Sequence, residues 1–380
     1  MLHLISRSGF DAAVQRHKAE RHARGFSSWG QFVAMLFCQL AGAKSLREVC
    51  GGLAASEGKL RHLGLPEAPS RSTLAYANQH RPWQLYQDIF EQMVVQCQQL
   101  ACSCGVKHKF RFKHKLLSMD ASLIDLCATV FDWAQYRRTK GAAKLHLLLD
   151  HDGHLPCYAV ITEGKRHEVK VARQMQFEPD TLLVFDRGYN DYDWFATLTE
   201  QKVWFVTRMK DNTDFFVVED RTLPHRRGLV RDQVIGLHQL AAQGKECFLR
   251  RIEFYDEQQE RTLVFLTNHL TLAAAAVAEV YKQRWSIELF FKALKQSLRI
   301  KTFVGTSANA LKIQIWSALI AMLLIKYLQL KASFGWSLSN LVALLRQQLF
   351  VYRDLWRWID SPFQPPESPP PSPQMALALS

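Results

Sequence analysis

The chain has 380 residues, 48% of them hydrophobic, and its 48 Lys and Arg against 35 Asp and Glu give a formal net charge of +13. That length predicts two or three domains around an ample core, and the basic balance favours a polyanionic partner, nucleic acid ahead of an anionic membrane surface. No cationic segment followed by an apolar stretch opens the chain, and the longest apolar run, residues 315–325, is too short to span a bilayer, so export and membrane insertion are excluded and a cytoplasmic protein is expected.

Residues 1 to about 100 read as helical. Trp29, Phe32, Val33, Leu36, Phe37 and Leu40 recur at helical spacing, entered through Phe26-Ser27-Ser28 and left near Gly42. Ser45 with Glu48 reads as the cap of a second helix. After a turn over residues 64–69, Ser70-Arg71-Ser72-Thr73 opens a further helix, whose start suits a phosphate or groove contact and equally a plain N-cap. Residues 1–105 are therefore expected to form a helical, helix-turn-helix-like DNA-binding domain.

Residues 107–115 (Lys-His-Lys-Phe-Arg-Phe-Lys-His-Lys) interleave cations with aromatics, a pattern that suits phosphate neutralisation and stacking, or a basic linker entering a strand. The eight cysteines sit mostly among apolar neighbours, as small core residues of a reducing compartment do. Cys102-Ser-Cys104 followed by His108 and His114 lacks zinc-finger spacing, so no zinc is expected.

Strands are expected near 116–131, 144–150, 156–162 and 180–186, with helices near 167–177 and 191–201. Asp120 interrupts the first apolar run and Asp186 closes the last, and charges are rarely left in buried strands unless paired or bound to metal. Asp125 lies on the opposite strand face from Asp120 and is set aside as a ligand. Asp150-His-Asp-Gly-His154 reads as a hairpin turn. Further strands are expected at 203–208, 214–219, 247–254 and 261–267, then helices from Leu272 to about Leu345 and a Pro-rich tail that forms neither helix nor central sheet.

The most informative stretch runs from Tyr281 to Lys295. On one straight helix Tyr281, Arg284, Glu288 and Lys295 fall within roughly 60° of one another, beside an apolar face of Ile287, Phe291, Leu294 and Leu298. A lone carboxylate among cations and a phenol suits a metal ion next to a phosphate backbone, although Arg284 and Glu288 also have the spacing of an ordinary helical ion pair. With Asp120 and Asp186 the glutamate would complete a hard-oxygen set for a pair of Mg²⁺ ions.

The spacing Tyr281-x2-Arg284-x3-Glu288-x6-Lys295 resembles the Tyr-Arg-Glu-Lys signature of bacterial insertion-sequence transposases of the IS-four family. Asp120, Asp186 and Glu288 match that family's Asp-Asp-Glu triad in order. Phe185-Asp186-Arg187-Gly188-Tyr189 looks like its second-aspartate motif, and Phe205-Val-Thr-Arg208-Met-Lys210 like the strand that follows. The resemblance covers residues 115 to 330 best. It implies an α/β fold: an RNase H-like mixed-sheet catalytic core over residues 106–335, with a β-rich insertion at about 203–268, preceded by the helical DNA-binding domain and followed by a helical segment and tail, 336–380.

It also implies cut-and-paste DNA transposition through a hairpin, with Asp120, Asp186 and Glu288 as catalytic metal ligands for two Mg²⁺ ions, Mn²⁺ substituting. Tyr281, Arg284, Lys292, Lys295, Arg208 and Lys210 would contact DNA, and Trp285 suits either a stacked base or the core. Arg187 and Tyr189 would aim Asp186. Terminal inverted repeats and target DNA are the implied partners, a homodimer the implied synaptic form. An RNase H-like DNA nuclease and a non-catalytic, domesticated DNA-binding protein are the alternatives.

Overall fold

The computed structural model describes residues 1–364 apart from 22, 24, 57, 106–109, 111, 128–134, 138–139, 224–227, 299–302 and 352. Residues 107–109 and 111 of the basic run, His108 among them, and the tail beyond residue 364 thus lie outside the described residues.

Five helices open the chain: α1 (Arg7–Arg16), α2 (Ser28–Ala41), α3 (Leu46–Ala54), α4 (Arg71–His80) and α5 (Gln84–Ser103). Their ends follow the local chemistry anticipated from sequence. Ser27 Oγ accepts from the Gly30 amide at 3.0 Å, and α2 stops at a left-handed Gly42, φ 73°. Ser45 accepts from the Glu48 amide at 3.2 Å while Glu48 accepts from the Lys44 amide at 2.9 Å, which orients the entry to α3. Ser70 caps α4 through the Thr73 amide at 3.1 Å.

The sheet begins with β1 (Leu116–Cys127), β2 (Gln135–Arg137), β3 (Lys140–Asp150) and β4 (Leu155–Glu163), joined antiparallel. The β3–β4 link is the expected hairpin, with Gly153 at φ 84°. There Asp150 is buried and paired with Lys115 at 3.3 Å. The short α6 (Glu168–Ala172) leads to β5 (Leu182–Phe185), and α7 (Tyr192–Glu200) to β6 (Trp204–Arg208). Both of these strands run parallel to their neighbours, β5 beside β1 and β6 beside β5. The order β4-β3-β1-β5-β6, three antiparallel strands followed by two parallel ones, is the RNase H-like arrangement.

The strand at 203–208, grouped by sequence with the insertion, is therefore the fifth core strand. The strands that follow extend the same sheet instead of leaving it: β7 (Phe215–Asp220), β8 (Leu229–Leu237), β9 (Phe248–Asp256) and β10 (Arg261–Thr267), where β10 pairs with β6. β8 and α8 (His238–Ala242) were not anticipated. Across β8 and β9 a buried Asp232 accepts a two-pronged grip from Arg250, at 2.7 and 2.5 Å, which satisfies both charges inside the sheet.

Five helices complete the chain: α9 (Ala274–Gln283), α10 (Trp285–Ser297), α11 (Ala308–Lys331), α12 (Leu338–Gln348) and α13 (Leu355–Asp360). By length and composition α11 could cross a membrane, yet 83% of its most apolar window is buried inside the protein. It packs against α5, α2 and α4, where each fully buried residue such as Leu319 contributes about 1.5–3 kcal/mol. One apolar core thus joins the N-terminal helices, α10 to α13 and one face of β1, β3 and β4. Main-chain clamps add to it, including Arg346 on the Leu40 carbonyl at 2.9 Å. The other face of β1 packs on α6 and α7 in a second core.

Candidate active site

The parallel register of β1 and β5 brings the two aspartates together. Met119 is level with Phe185, and Asp120 and Asp186 each stand one residue further along. Asp120 thus lies within β1 just past the last residue paired in parallel with β5, and Asp186 just past the carboxyl end of β5, the side of a parallel pair on which open α/β sheets bind ligands. Each carboxylate is fixed by the main chain: Asp120 Oδ1 accepts from the Ala121 amide at 2.8 Å, and Asp186 Oδ1 from the Gly188 amide at 2.6 Å. The second bond makes Asp186 the N-cap of a single 3₁₀ turn, Arg187–Tyr189.

Glu288 comes from α10. Its apolar neighbours Ile287, Phe291 and Leu294 are buried in the core shared with β1, which carries the carboxylate over the strand. Glu288 and Asp120 face each other across a cavity of about 360 Å³ that Lys292 and Lys295 also line. Lys295 donates to the Leu123 carbonyl of β1 at 2.9 Å, and so ties α10 to the strand. Asp125 pairs level with Ala142 further along β1 and is exposed, away from this cavity.

The 281–295 stretch differs from expectation in one respect. It is two helices, not one, with Arg284 in a turn between them. At the joint the Arg284 amide reaches the Tyr281 carbonyl at 3.1 Å and the Ile287 amide the Arg284 carbonyl at 3.2 Å, three-residue bonds that tighten the turn. Tyr281 is directed onto the sheet, its ring 5.2 Å from Phe265, and the Arg284 guanidinium lies 5.7 Å from the same ring. Arg284 also grips Glu288 at 2.6 Å. Trp285 is 56% exposed, so the core alternative is excluded and its face is open to a ligand.

Arg208 ends β6, and Lys210 lies beyond it, so the shared strand face read from sequence is not present. The strand stops because its pairing with β10 ends at Phe265↔Arg208. Asn190 instead joins the two residues, donating to the Arg208 carbonyl at 2.8 Å and accepting from Lys210 Nζ on its own carbonyl at 3.2 Å. Lys210 lines a groove of about 520 Å³ with Asp186, Arg187 and Gly188. Arg187 pairs with Asp211, which lines the same groove, at 3.7 Å.

Electrostatics bind these groups into one site. Burial pushes the Asp120 carboxyl up to about 6; the Ala121 amide and Arg284 oppose this, while Glu168 and Glu288 add to it. Burial works against the charge of Arg284, but Tyr281, Glu288 and Asp120 together hold its pKa above the usual value. Tyr281 is raised by burial, with Arg284 and Arg208 opposing and Asp186 reinforcing. Among the described residues, the Nε atoms of Arg208 and Arg284 are buried without a hydrogen-bond partner, as are those of Arg221 and Arg251 elsewhere. Buried donors normally find acceptors, so the two at this site suit an incoming anion.

Oxygen-only donors on adjacent strands suit a hard divalent cation. Among the described residues, however, no three acidic, His or Cys side chains are gathered as an ion-holding group, since Glu288 is turned onto Arg284. The zinc reading fares no better: Cys102 and Cys104 are exposed at the end of α5, and His114 faces His269 at 3.1 Å. One acidic residue near the carboxylates was missed, Glu168 at the start of α6; Tyr189, expected to aim Asp186, is buried, and its phenol has no hydrogen-bond partner among the described residues. A Glu after Gly-Lys-Arg-His reads as a solvated helix start, and only the fold brings it here.

Comparison with known proteins places the chain. The family model described as transposase DDE domain matches residues 111–324, and a domain of unknown function matches residues 1–66. A protein of Sinorhizobium fredii named as a transposase is 29% identical over 81% of this chain and 85% of its own length. Insertion-sequence transposases by name from Geobacillus stearothermophilus and Synechocystis are 29% and 25% identical, over 63% and 48% of this chain and 63% and 52% of their own lengths. Among solved structures, a piggyBac transposase synaptic complex with hairpin DNA aligns over 98% of this chain and 84% of that one, at 10% identity and a TM-score of 0.45. With the family model spanning more than half of its length, the chain belongs to the DDE transposases and is a bacterial insertion-sequence enzyme of DNA transposition.

Proposed function

We propose that the chain performs cut-and-paste transposition at a centre formed by Asp120, Asp186 and Glu288. One observation carries the reading: the β1–β5 register sets two aspartates side by side, with the glutamate facing Asp120 across a cavity edged by lysines. Water attacks a phosphodiester at the transposon end and frees a 3′-hydroxyl, which then attacks a second phosphodiester. Each step exchanges one P–O bond for another, so no covalent protein intermediate is needed. A hairpin on the transposon end is the intermediate that the family resemblance favours.

Asp120, between the other two, would serve both of a pair of Mg²⁺ ions, with Mn²⁺ as substitute, while Asp186 and Glu288 would each serve one. Such ions, when bound, acidify water and neutralise charge developing at phosphorus. Arg284 and Arg208 would offer their free Nε donors to the scissile strand, and Tyr281 holds Arg284 in place for this. Lys292 and Lys295 would add point charges along the cavity, and Lys210 along the neighbouring groove. The open face of Trp285 would take a displaced base. Residues 1–105 would hold the terminal repeats, residues 106–335 carry the chemistry, and synapsis of two ends would require a homodimer.

The test uses purified protein, Mg²⁺ and the gene's flanking DNA, with products resolved on native and denaturing gels. Nicks at defined ends followed by hairpins or joined products are expected. Cutting without joining would instead mean a nuclease, and end binding without cutting a non-catalytic binder.

A further inference from the structure

Glu168 approaches the two aspartates from the face of the sheet opposite Glu288. Val171 and Ala172 of α6 pack with Leu117 and Met119 in one core, whereas Ile287 and Leu294 of α10 pack with Ile124 and Leu126 in the other. The two glutamates therefore belong to helices on opposite faces of the sheet, on either side of the point where β1 and β5 part. Glu168 Oε1 pairs with Lys144 at 3.2 Å, and its other oxygen faces the Asp186 turn. A Cβ placed on Gly188 would stand 3.4 Å from Asp186 Oδ1 and 3.7 Å from Glu168 Oε2. Gly188 has no positive φ to require a glycine, so its missing methyl leaves open the space between these two oxygens.

A second, independent observation points into the same space. Tyr189 is 1% exposed and its hydroxyl has no hydrogen-bond partner, although Glu168, Asp120 and Asp186 are the charges that surround it. A buried hydroxyl left unpaired costs about 1–3 kcal/mol, so the arrangement is incomplete without something that draws a carboxylate or a water onto it. Glu168 and Asp186 repel one another across this space, and a cation held between them would relieve it.

We propose that Glu168 is a fourth carboxylate of the catalytic centre, holding a divalent cation with Asp186 across the gap at Gly188, with the Tyr189 hydroxyl orienting the set from beneath. The proposal rests on the metal-dependent reading of the centre and adds to it a donor outside the Asp-Asp-Glu triad. Lys144 holds the carboxylate in place from behind, as a partner behind the ligand does.

The test is Mn²⁺ binding to the full chain, read from the free-ion electron paramagnetic resonance signal, with circular dichroism melts to establish folding. Glu168→Gln keeps the shape and the acceptor for Lys144, and should weaken Mn²⁺ binding by about tenfold to a hundredfold. Gly188→Ala meets its neighbours only at ordinary contact distance, so it should fold and show a comparable loss. Asp125→Asn, away from the site, should bind as wild type. If Asp120→Asn and Asp186→Asn lose Mn²⁺ while Glu168→Gln and Gly188→Ala keep wild-type binding, Glu168 is only Lys144's partner and the proposal falls. If the two aspartate variants also bind as wild type, or if the wild type binds no Mn²⁺, the metal reading falls and takes this proposal with it.

Discussion

The two halves of the active site are held in different ways. Asp120 and Asp186 sit on hydrogen-bonded strands whose register sets their spacing, and each accepts a main-chain amide within two residues. Glu288 hangs from a helix that starts at a turn, and the side chain it pairs with is Arg284. The strand half is thus set by the fold itself, while the helix half depends on one ion pair and on the apolar anchors of α10. An incoming phosphate that took Arg284 would release Glu288 toward Asp120. On the proposed reading Arg284 would alternate between two partners, the glutamate and the DNA.

The largest expected effect is on the chemistry. Asp120→Ala, Asp186→Ala or Glu288→Ala should each cost about 4 kcal/mol or more of transition-state stabilisation, roughly a thousandfold in rate, while end binding persists in gel-shift assays. Cleavage that survives in one of them removes that residue from the centre. Arg284→Ala should destabilise the protein by about 2 kcal/mol, less than a fully buried pair because Glu288 is a third exposed. Hydrogen exchange should then quicken in α9 and α10 and leave β1 and β5 unchanged. Equal quickening in both would erase the distinction between the halves.

A smaller effect concerns pH. Burial raises Asp120 in the folded protein from 3.8 to about 6, so the folded state binds its proton more tightly than the unfolded state does. Its favourable contribution is full below the unfolded pKa and is lost as pH rises through about 6. In the absence of divalent ions, Asp120→Asn should accordingly stabilise the protein at pH 7 by about 1–2 kcal/mol, and the gain should vanish near pH 4. Melts of both proteins across that range check the sign; a gain that grows toward low pH would contradict it. The smallest effect is Lys295→Ala, which should weaken end binding and lower the salt slope by about one counterion. An unchanged slope would confine Lys295 to its bond with Leu123.

Much of this was legible in the chain. Helix caps at Ser27, Ser45 and Ser70 follow from side chains that accept amides locally, and the apolar runs around Asp120 and Asp186 announce one strand interrupted by a charge and one that ends at a charge. What was not legible depends on distant partners. No Pro or Gly marks the break at Arg284. The strand β8 begins Leu-Val-Arg-Asp-Gln, where a buried Asp232 is acceptable only because Arg250 lies opposite. Glu168 looks solvated until α6 folds back onto the turn after Asp186. The insertion, too, could be read as separate strands but not as an extension of the core sheet, because pairing of β10 with β6 spans some sixty residues of chain.

The central claim is that strand-borne and helix-borne carboxylates converge on one cation site. Iron-directed self-cleavage tests it most directly: the protein is loaded with Fe²⁺, exposed to ascorbate and peroxide, and the breaks in its own backbone are mapped. The account predicts breaks clustered near residues 120, 186 and 288, suppressed together by Mg²⁺ and lost together in Asp186→Asn. Breaks near 120 and 186 alone, or a pattern that Mg²⁺ leaves unchanged, would contradict it.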